Sequence, residues 1–340
     1  MRPSTEFYNS TVIIRTSAPT RIDLAGGTID IWPLYLFHPG AQTLNAAISL
    51  RASARIDPRA DSRITIKSLD TGAIVEADDW RTLRDVRQLR LLCLLVHFFE
   101  VHGLTLTTTS DSPAGAGIAG SSALNVAVCA ALAEWNRTHY EPEALLQIAM
   151  NVEAQAIAVP TGLQDYRPAL YGGIAALELE VDGVRRVPLD VDLGELQQRI
   201  VLCYTGEPRN SGTNNWEITK RHIDGDQYIF DCFERIRDTA ATMRTALTAG
   251  DWDAVSRAIA EEWDNRKRLA PGVTTPAIDD LIARAKAAGA TAAKVCGAGG
   301  GGCLFCYGPP QAREAIRTAL VEGGARLLEY TFERHGLGRG

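Results

Sequence analysis

A chain of 340 residues, 46% of them hydrophobic, is long enough to bury two cores or one large one. Its formal net charge of −6 excludes a general attraction to nucleic acid or to anionic membranes. Seven cysteines, odd in number and scattered in spacing, read as reduced thiols of a cytoplasmic protein, and the polar stretch Met1 to Ser10 shows no signal peptide.

In chain order, Val12 to Arg15 reads as a strand leading into a glycine-containing segment, APTRIDLAGGTID, Ala18 to Asp30. Thr43 to Ile56 and Arg63 to Ser68 read as further strands, with a turn at residues 57–61. The most apolar run, Leu89 to Val101, lies in a predicted helix over 84–101 and is too short to span a bilayer. Thr105 to Thr109 alternates and is β-branched, as a strand does, and helices are predicted over 121–137 and 143–157. Strands follow at 174–181 and 199–204, then helices at 228–249, 252–268 and 276–288. A strand region from Lys294 to Tyr307 holds a run of glycines; a helix over 311–322 and a strand near 326–331 close the chain. The composition shifts near Leu193, the predicted domain boundary. Cys303-Leu304-Phe305-Cys306 forms a C-x-x-C, but no second pair completes a zinc site, so it reads as a buried strand.

The segment Pro113 to Leu124, PAGAGIAGSSAL, joins a predicted strand to a predicted helix. Gly115, Gly117 and Gly120 permit close backbone approach to a ligand, and Ser121 and Ser122 fall at the helix start, where free N–H groups and the helix dipole favour an anion. The hydroxyls suit a phosphate or the Mg²⁺ that a phosphate carries. Gly115-x-Gly117-x-x-Gly120 also satisfies the dinucleotide-binding pattern, but it lies deep in the chain and carries a Ser pair where that pattern opens into apolar helix.

Together with APTRIDLAGGTID and KVCGAGGGGCLFCY, Lys294 to Tyr307, this loop resembles the three motifs of the GHMP kinases, in the family's order and across nearly the whole chain. The resemblance implies an α+β fold of two domains. These are an N-terminal α/β sandwich domain, 1–193, and a C-terminal ferredoxin-like domain, 194–340, with the active site between them. It implies ATP and Mg²⁺ as cofactors and a small-molecule acceptor. Residues Pro113, Gly115, Ala116, Gly117, Ile118, Ala119, Gly120, Ser121 and Ser122, with Gly299 and Gly300, are then the nucleotide site.

The segment GLQDYRPALYGG, Gly162 to Gly173, is similar to the G-K-Q-D-x-Y-A-x-x-x-G-G of sugar kinases close to D-glycero-D-manno-heptose 7-phosphate kinase. This makes Asp165 the carboxylate that orients or deprotonates the acceptor hydroxyl; the plain alternative is a helix cap. The pattern is broken at Leu163, where Lys is usual, and Arg167 is a candidate to restore the charge. Glu153, twelve positions before Asp165, matches the family's metal-binding Glu, with Ser121 or Ser122 beside it; as a bare pattern it would be a solvated helix face. Arg21 matches the family's basic residue and is expected to act on Asp165, or else to pair with Asp23.

Asp30, Gly26, Gly27, Thr28 and Gly173 are the acceptor candidates implied, and Gly-Gly-Thr in place of Gly-Glu-His disfavours galactose. In the polar stretch 204–222, Arg209, Ser211, Lys220 and Arg221 are candidates for a phosphate on the acceptor, unless that stretch is a solvated loop. Trp32 or Trp216 could stack on a sugar or sit in the core. The reading is an ATP-dependent kinase acting on a sugar or sugar phosphate, at the anomeric hydroxyl of a heptose 7-phosphate-like substrate. Its rivals are a kinase for a free sugar or mevalonate-type alcohol, and a sensor that binds ATP and sugar without turnover.

Overall fold

The computed structural model describes residues 12–208 and 211–340, and the side chains of all of these but 211–214. Two long strands organise the N-terminal layer: β1 (Ile14–Ala25) lies antiparallel to β2 (Gln42–Pro58), with register breaks at Pro19/Thr20 and Asp23/Ala25. The predicted strand ends at Arg15, but the real one continues into the first motif as far as Ala25. Pro19 reads as a strand breaker, yet a register shift at Pro19/Thr20 absorbs it. Period-two alternation then sets Ile22 and Leu24 against Arg21 and Asp23, and all four are buried.

After β3 (Ile64–Ser68) and β4 (Ile74–Ala77) come helix α1 (Arg90–Phe99) and β5 (Leu104–Ser110), which pairs with both β2 and β3. Helices α2 (Gly120–Trp135), α3 (Pro142–Ile157) and α4 (Tyr166–Tyr171) cover one face of this sheet in a shared core. Helix α2 is apolar nearly all round, as a helix enclosed on every side must be. The first half of β2 pairs instead with β6 (Ile174–Glu180), which carries β7 (Gly183–Pro188) at its edge.

The second layer begins with α5 (Leu193–Arg199) and β8 (Ile200–Tyr204), followed by helices α6 (Ser211–Ile223), α7 (Gln227–Ala249), α8 (Trp252–Arg266) and α9 (Pro276–Ala287). Strands β9 (Ala292–Val295) and β10 (Cys303–Tyr307), helix α10 (Arg313–Glu322) and the short β11 (Arg326–Leu327) complete an antiparallel sheet ordered β11-β8-β10-β9. One face of it packs on α9 and α10. The other shares a core with α7, α8 and residues of β1, β2 and β6, so the two layers are joined by apolar side chains. Cys303 and Cys306 have opposite parity on β10 and enter different cores, which rules out a shared metal.

The stretch around 204–222, for which a solvated loop was one of the two readings, forms helix α6 from residue 211. Its apolar content is sparse, but Ile218 docks into a satellite core with Ile31, Leu34 and Phe233, and His222 meets buried His38 at 2.8 Å. The strand expected over 326–331 shrinks to β11 because the chain then leaves the second sheet. It bridges Phe332 to Ile48 and ends as β12 (Gly338–Arg339) on the edge of β1. Gln197 of α5 bonds both Tyr330 and Phe332 at 3.1 Å, so this return lies beside the first passage between layers. No helix among the described residues is long and apolar enough to cross a membrane.

The layers also meet backbone to backbone: Cys303 N–H donates to the Ala116 carbonyl at 2.6 Å, and a Cβ on Gly302 would lie 2.7 Å from that oxygen. Gly302 has φ +80°, so Gly302→Ala combines left-handed strain with a backbone clash. It is expected to destabilise the fold by about 2–4 kcal/mol, read as a lowered midpoint in urea unfolding.

Candidate active site

The loop between β5 and α2 is held from one side. Arg21 N–H and Nη1 donate to the carbonyls of Ile118 (3.0 Å) and Gly117 (2.9 Å), and Cys303 N–H to that of Ala116. Because a trans peptide sets its N–H opposite its C=O, the amides of Gly117, Ile118 and Ala119 are directed the other way. The first-turn amides of α2, unpaired within the helix, continue this row. Gly115 (φ +67°), Gly117 (φ +79°) and Ala119 (φ +62°) supply the left-handed turns. Gly120 is helical, and its lack of a side chain serves contact, since a Cβ there would lie 2.5 Å from Ser112 Oγ.

A pocket opens beside this loop, walled by the first motif, α3, the Gly162–Asp165 turn, Asn215 of α6, Arg266 of α8 and Gly297-Ala298. Asp165 sits just before α4, but its side chain caps nothing. Its Oδ1 instead accepts from Arg21 Nε (3.1 Å) and Nη2 (2.5 Å), and the carboxylate remains 22% exposed to the pocket. Burial works against the Arg21 charge, but Asp165 and Asp23 outweigh it and raise the pKa above the ordinary value. Arg21 stands 3.7 Å from Asp23, whose main partner is Lys294 of β9. Lys294 Nζ donates to Asp23 Oδ2 (3.0 Å) and to its carbonyl (2.9 Å), and Gly297 N–H to Oδ1 (3.0 Å). Burial opposes the charge of Asp23, yet Lys294, Arg21 and Arg266 hold its pKa down at about 2.

Asp30 is buried with one oxygen committed, Oδ2 accepting from Gln164 N–H at 2.9 Å. Oδ1 has no partner among the described residues. Burial first, and then Asp165, push this carboxyl up to about 6. Gly162 permits the approach, since a Cβ there would lie 2.4 Å from Oδ2. Glu153 is buried too, which excludes the solvated-face alternative. It accepts from Ser121 Oγ (2.7 Å), Ser122 Oγ (3.1 Å), Asn125 Nδ2 (3.3 Å) and the Tyr166 hydroxyl (2.7 Å). Burial raises its pKa against the pull of these donors.

Two family models match the chain. Residues 83–173 match the GHMP kinase N-terminal domain, and residues 243–326 the GHMP kinase C-terminal domain. The chain is a GHMP kinase. It is 29% identical over 336 residues to D-glycero-alpha-D-manno-heptose 7-phosphate kinase of Campylobacter jejuni, covering 95% of this chain and 98% of the relative. A D-glycero-D-manno-heptose 1-phosphate kinase from Bacteriodes thetaiotaomicron superposes with a TM-score of 0.79 at 24% identity, over 96% of this chain and 98% of that one. Lactococcus lactis galactokinase shares the fold at a TM-score of 0.73 and 18% identity, over 98% of this chain and 96% of its own.

In this GHMP kinase the pocket brings together Arg21, Thr28, Asp30, Ser121, Ser122, Glu153 and Asp165. Other candidates lie elsewhere. Gly173 is bound by backbone to Ala47 and Glu333, outside the pocket lining. Gly299 and Gly300 pack on Val273; within the glycine run it is Gly302 that meets the phosphate loop, because the run reverses direction between β9 and β10. Gly26 fits under the Gln42 carbonyl, and Gly27 leaves room for Arg266. Arg167 does not replace the missing Lys at position 163: it is drawn to Glu143 (2.6 Å) and the Leu163 carbonyl. Arg221 is paired with Asp226 (2.6 Å), Lys220 is exposed and outside the pocket lining, and Arg209 and the Ser211 side chain lie outside the described residues. Trp32 and Trp216 are 62% and 46% exposed, so neither is core.

Sequence reasoning passed over Lys294, Arg266, Glu262, Tyr166 and Gln164. A lysine inside an apolar strand, Ala292–Val295, was the signal that a buried carboxylate had to face it. Lys294→Met would leave Asp23 buried without its main counter-charge, at an expected cost of about 3–5 kcal/mol in chemical unfolding at neutral pH. In the native protein the depressed pKa of Asp23 contributes stability that is complete above its ordinary value of 3.8 and is lost as pH falls toward about 2. The variant is expected to lose that acid-limb dependence.

Proposed function

We propose that this protein transfers the γ-phosphoryl group of ATP to a hydroxyl of a sugar or sugar phosphate. The anomeric hydroxyl of a heptose 7-phosphate-like acceptor is the specific reading, supported by the heptose 7-phosphate kinase relative. The observation that carries it is Asp165, held by Arg21 through one oxygen and open to the pocket beside the phosphate loop. The acceptor O–H approaches Asp165, which orients it or takes its proton. The acceptor oxygen bonds to the γ-phosphorus as the bridge to the β-phosphate breaks, and ADP leaves with that electron pair. Arg21 stabilises the charge gathering between Asp165 and the transferring group, and the loop amides hold the phosphates.

Asp30 Oδ1, an unfilled acceptor in a polar pocket, is suited to a sugar hydroxyl. This favours a polyol over a mevalonate-type alcohol. Glu153, Ser121 and Ser122 form an all-oxygen set that fits Mg²⁺: one buried carboxylate whose desolvation a cation would relieve, and hydroxyls beside the phosphate site. When bound there, the ion supplies neutralisation of phosphate charge.

The test is ADP release with Mg-ATP over free and phosphorylated hexoses and heptoses and mevalonate. Turnover of a sugar or sugar phosphate is expected, falling by about 10²–10⁴ in Asp165→Asn. Wild-type silence across the panel, with ATP still bound, would support a sensor instead, whereas turnover unchanged in Asp165→Asn would remove Asp165 from the reaction. Because Asp30 must be ionised to accept a hydroxyl strongly, kcat/KM for the acceptor is expected to fall as pH drops through about 6. A pH series with Asp30→Asn should lack that limb.

A further inference from the structure

Arg266, the last residue of α8, is 2% exposed and lines the same pocket as Asp165 and Asp30. Its Nη2 donates to the Gly297 carbonyl. Its Nη1 is buried and has no partner among the described residues. A buried guanidinium nitrogen without an acceptor is costly, so its retention calls for an acceptor that arrives from outside. Neighbouring carboxylates feel its charge but do not bond it: Arg266 helps hold down the pKa of Asp23 and counteracts the rise in that of Glu262, yet among the described residues it forms no ion pair within 4.0 Å. Asp23 is engaged by Lys294 and Gly297, and Glu262 accepts from Gly26 N–H through Oε1 while its Oε2 has no partner among the described residues.

The first motif is shaped around this group. A Cβ on Gly27 would lie 2.2 Å from Nη1, and Gly27 does not occupy the left-handed region, so glycine there provides room rather than a turn. The other cation described in the pocket lining, Arg21, is spent on Asp165 and the Gly117 carbonyl. Of the cations that the sequence offered for an acceptor phosphate, the two described ones, Lys220 and Arg221, are absent from that lining.

We infer that Arg266 is a specificity-determining residue whose Nη1 takes an oxygen of an anionic group on the acceptor, and that the acceptor is therefore a phosphorylated sugar. This rests on the sugar-kinase reading and narrows its substrate class. A guanidinium matches phosphate oxygens in geometry and charge, whereas sugar hydroxyls already have carboxylates to meet in Asp30 and Asp165. The phosphates of the nucleotide have the loop amides and the two serines.

The test compares KM for a phosphorylated sugar substrate with KM for ATP in the full chain, in wild type, Arg266→Gln and Gly27→Ala. Loss of a charged hydrogen bond should raise KM for the sugar phosphate about 10- to 100-fold in Arg266→Gln, well beyond any change for ATP. Gly27→Ala, which displaces the guanidinium without removing it, should shift the same constant, and should add nothing in the Arg266→Gln background. If Arg266→Gln fails to fold, as a thermal melt would reveal, Gly27→Ala alone carries the comparison. A rise confined to KM for ATP would assign Nη1 to the transferring phosphoryl group and overturn the inference; so would unchanged constants. A wild type that phosphorylates only free sugars would overturn it while leaving the kinase reading intact. A wild type that phosphorylates nothing would remove both.

Discussion

The site depends on burying charge between two layers. Asp23, Glu262 and Lys294 have no exposed surface, and Arg21 and Arg266 have almost none. Removing such groups from water costs several kcal/mol each, and the cost is offset only if each meets its partner in good geometry. That requirement fixes β1 of one layer against β9 of the other to within hydrogen-bond tolerance. The glycine run after β9 is thereby brought onto the phosphate loop, and Arg21 is aimed at Asp165. Hydrophobic packing between the layers supplies attraction without direction; the buried ions supply the register.

A second linkage connects the carboxylates of Glu153 and Asp165. Tyr166 follows Asp165 in the chain, and its hydroxyl donates to Glu153 at 2.7 Å. The start of α4 is thus tied to the middle of α3, and displacement of Glu153 is transmitted to the residue beside Asp165. The Ser121 and Ser122 hydroxyls extend the tie to the loop itself. One hydrogen-bonded chain therefore runs from the start of α2 to the residue beside Asp165.

Much of this was legible in the sequence where function demands special backbone. Gly115 and Gly117 mark left-handed turns, and the Ser pair marks the helix start, so the turn was legible from residue types, while its assignment to phosphate came from likeness to a family. Long helices such as α7 and α9 were equally plain from their apolar spacing. What escaped notice lacked a local signal. Helix α6 has few apolar residues, and only its docking on Phe233 and His38 makes it a helix. The extension of β1 through Pro19 depends on a break in pairing with β2. Glu153 was placed by likeness to a family, since its own helix does not say that Tyr166 and two serines surround it. Arg266 looks like any charged residue at a helix end until Gly27, 239 positions earlier, is found making room for it.

The chain passes between layers twice, once into α5 and once after β11, and Gln197 laces the two passages together. Two adjacent, cross-linked crossings behave mechanically as the spine of a book. Sliding or twisting of one layer past the other would break the lacing or strip β12 from β1. The terminal strand also occupies an edge that would otherwise offer unpaired amides to another molecule. A cleft built this way keeps its two faces in alignment.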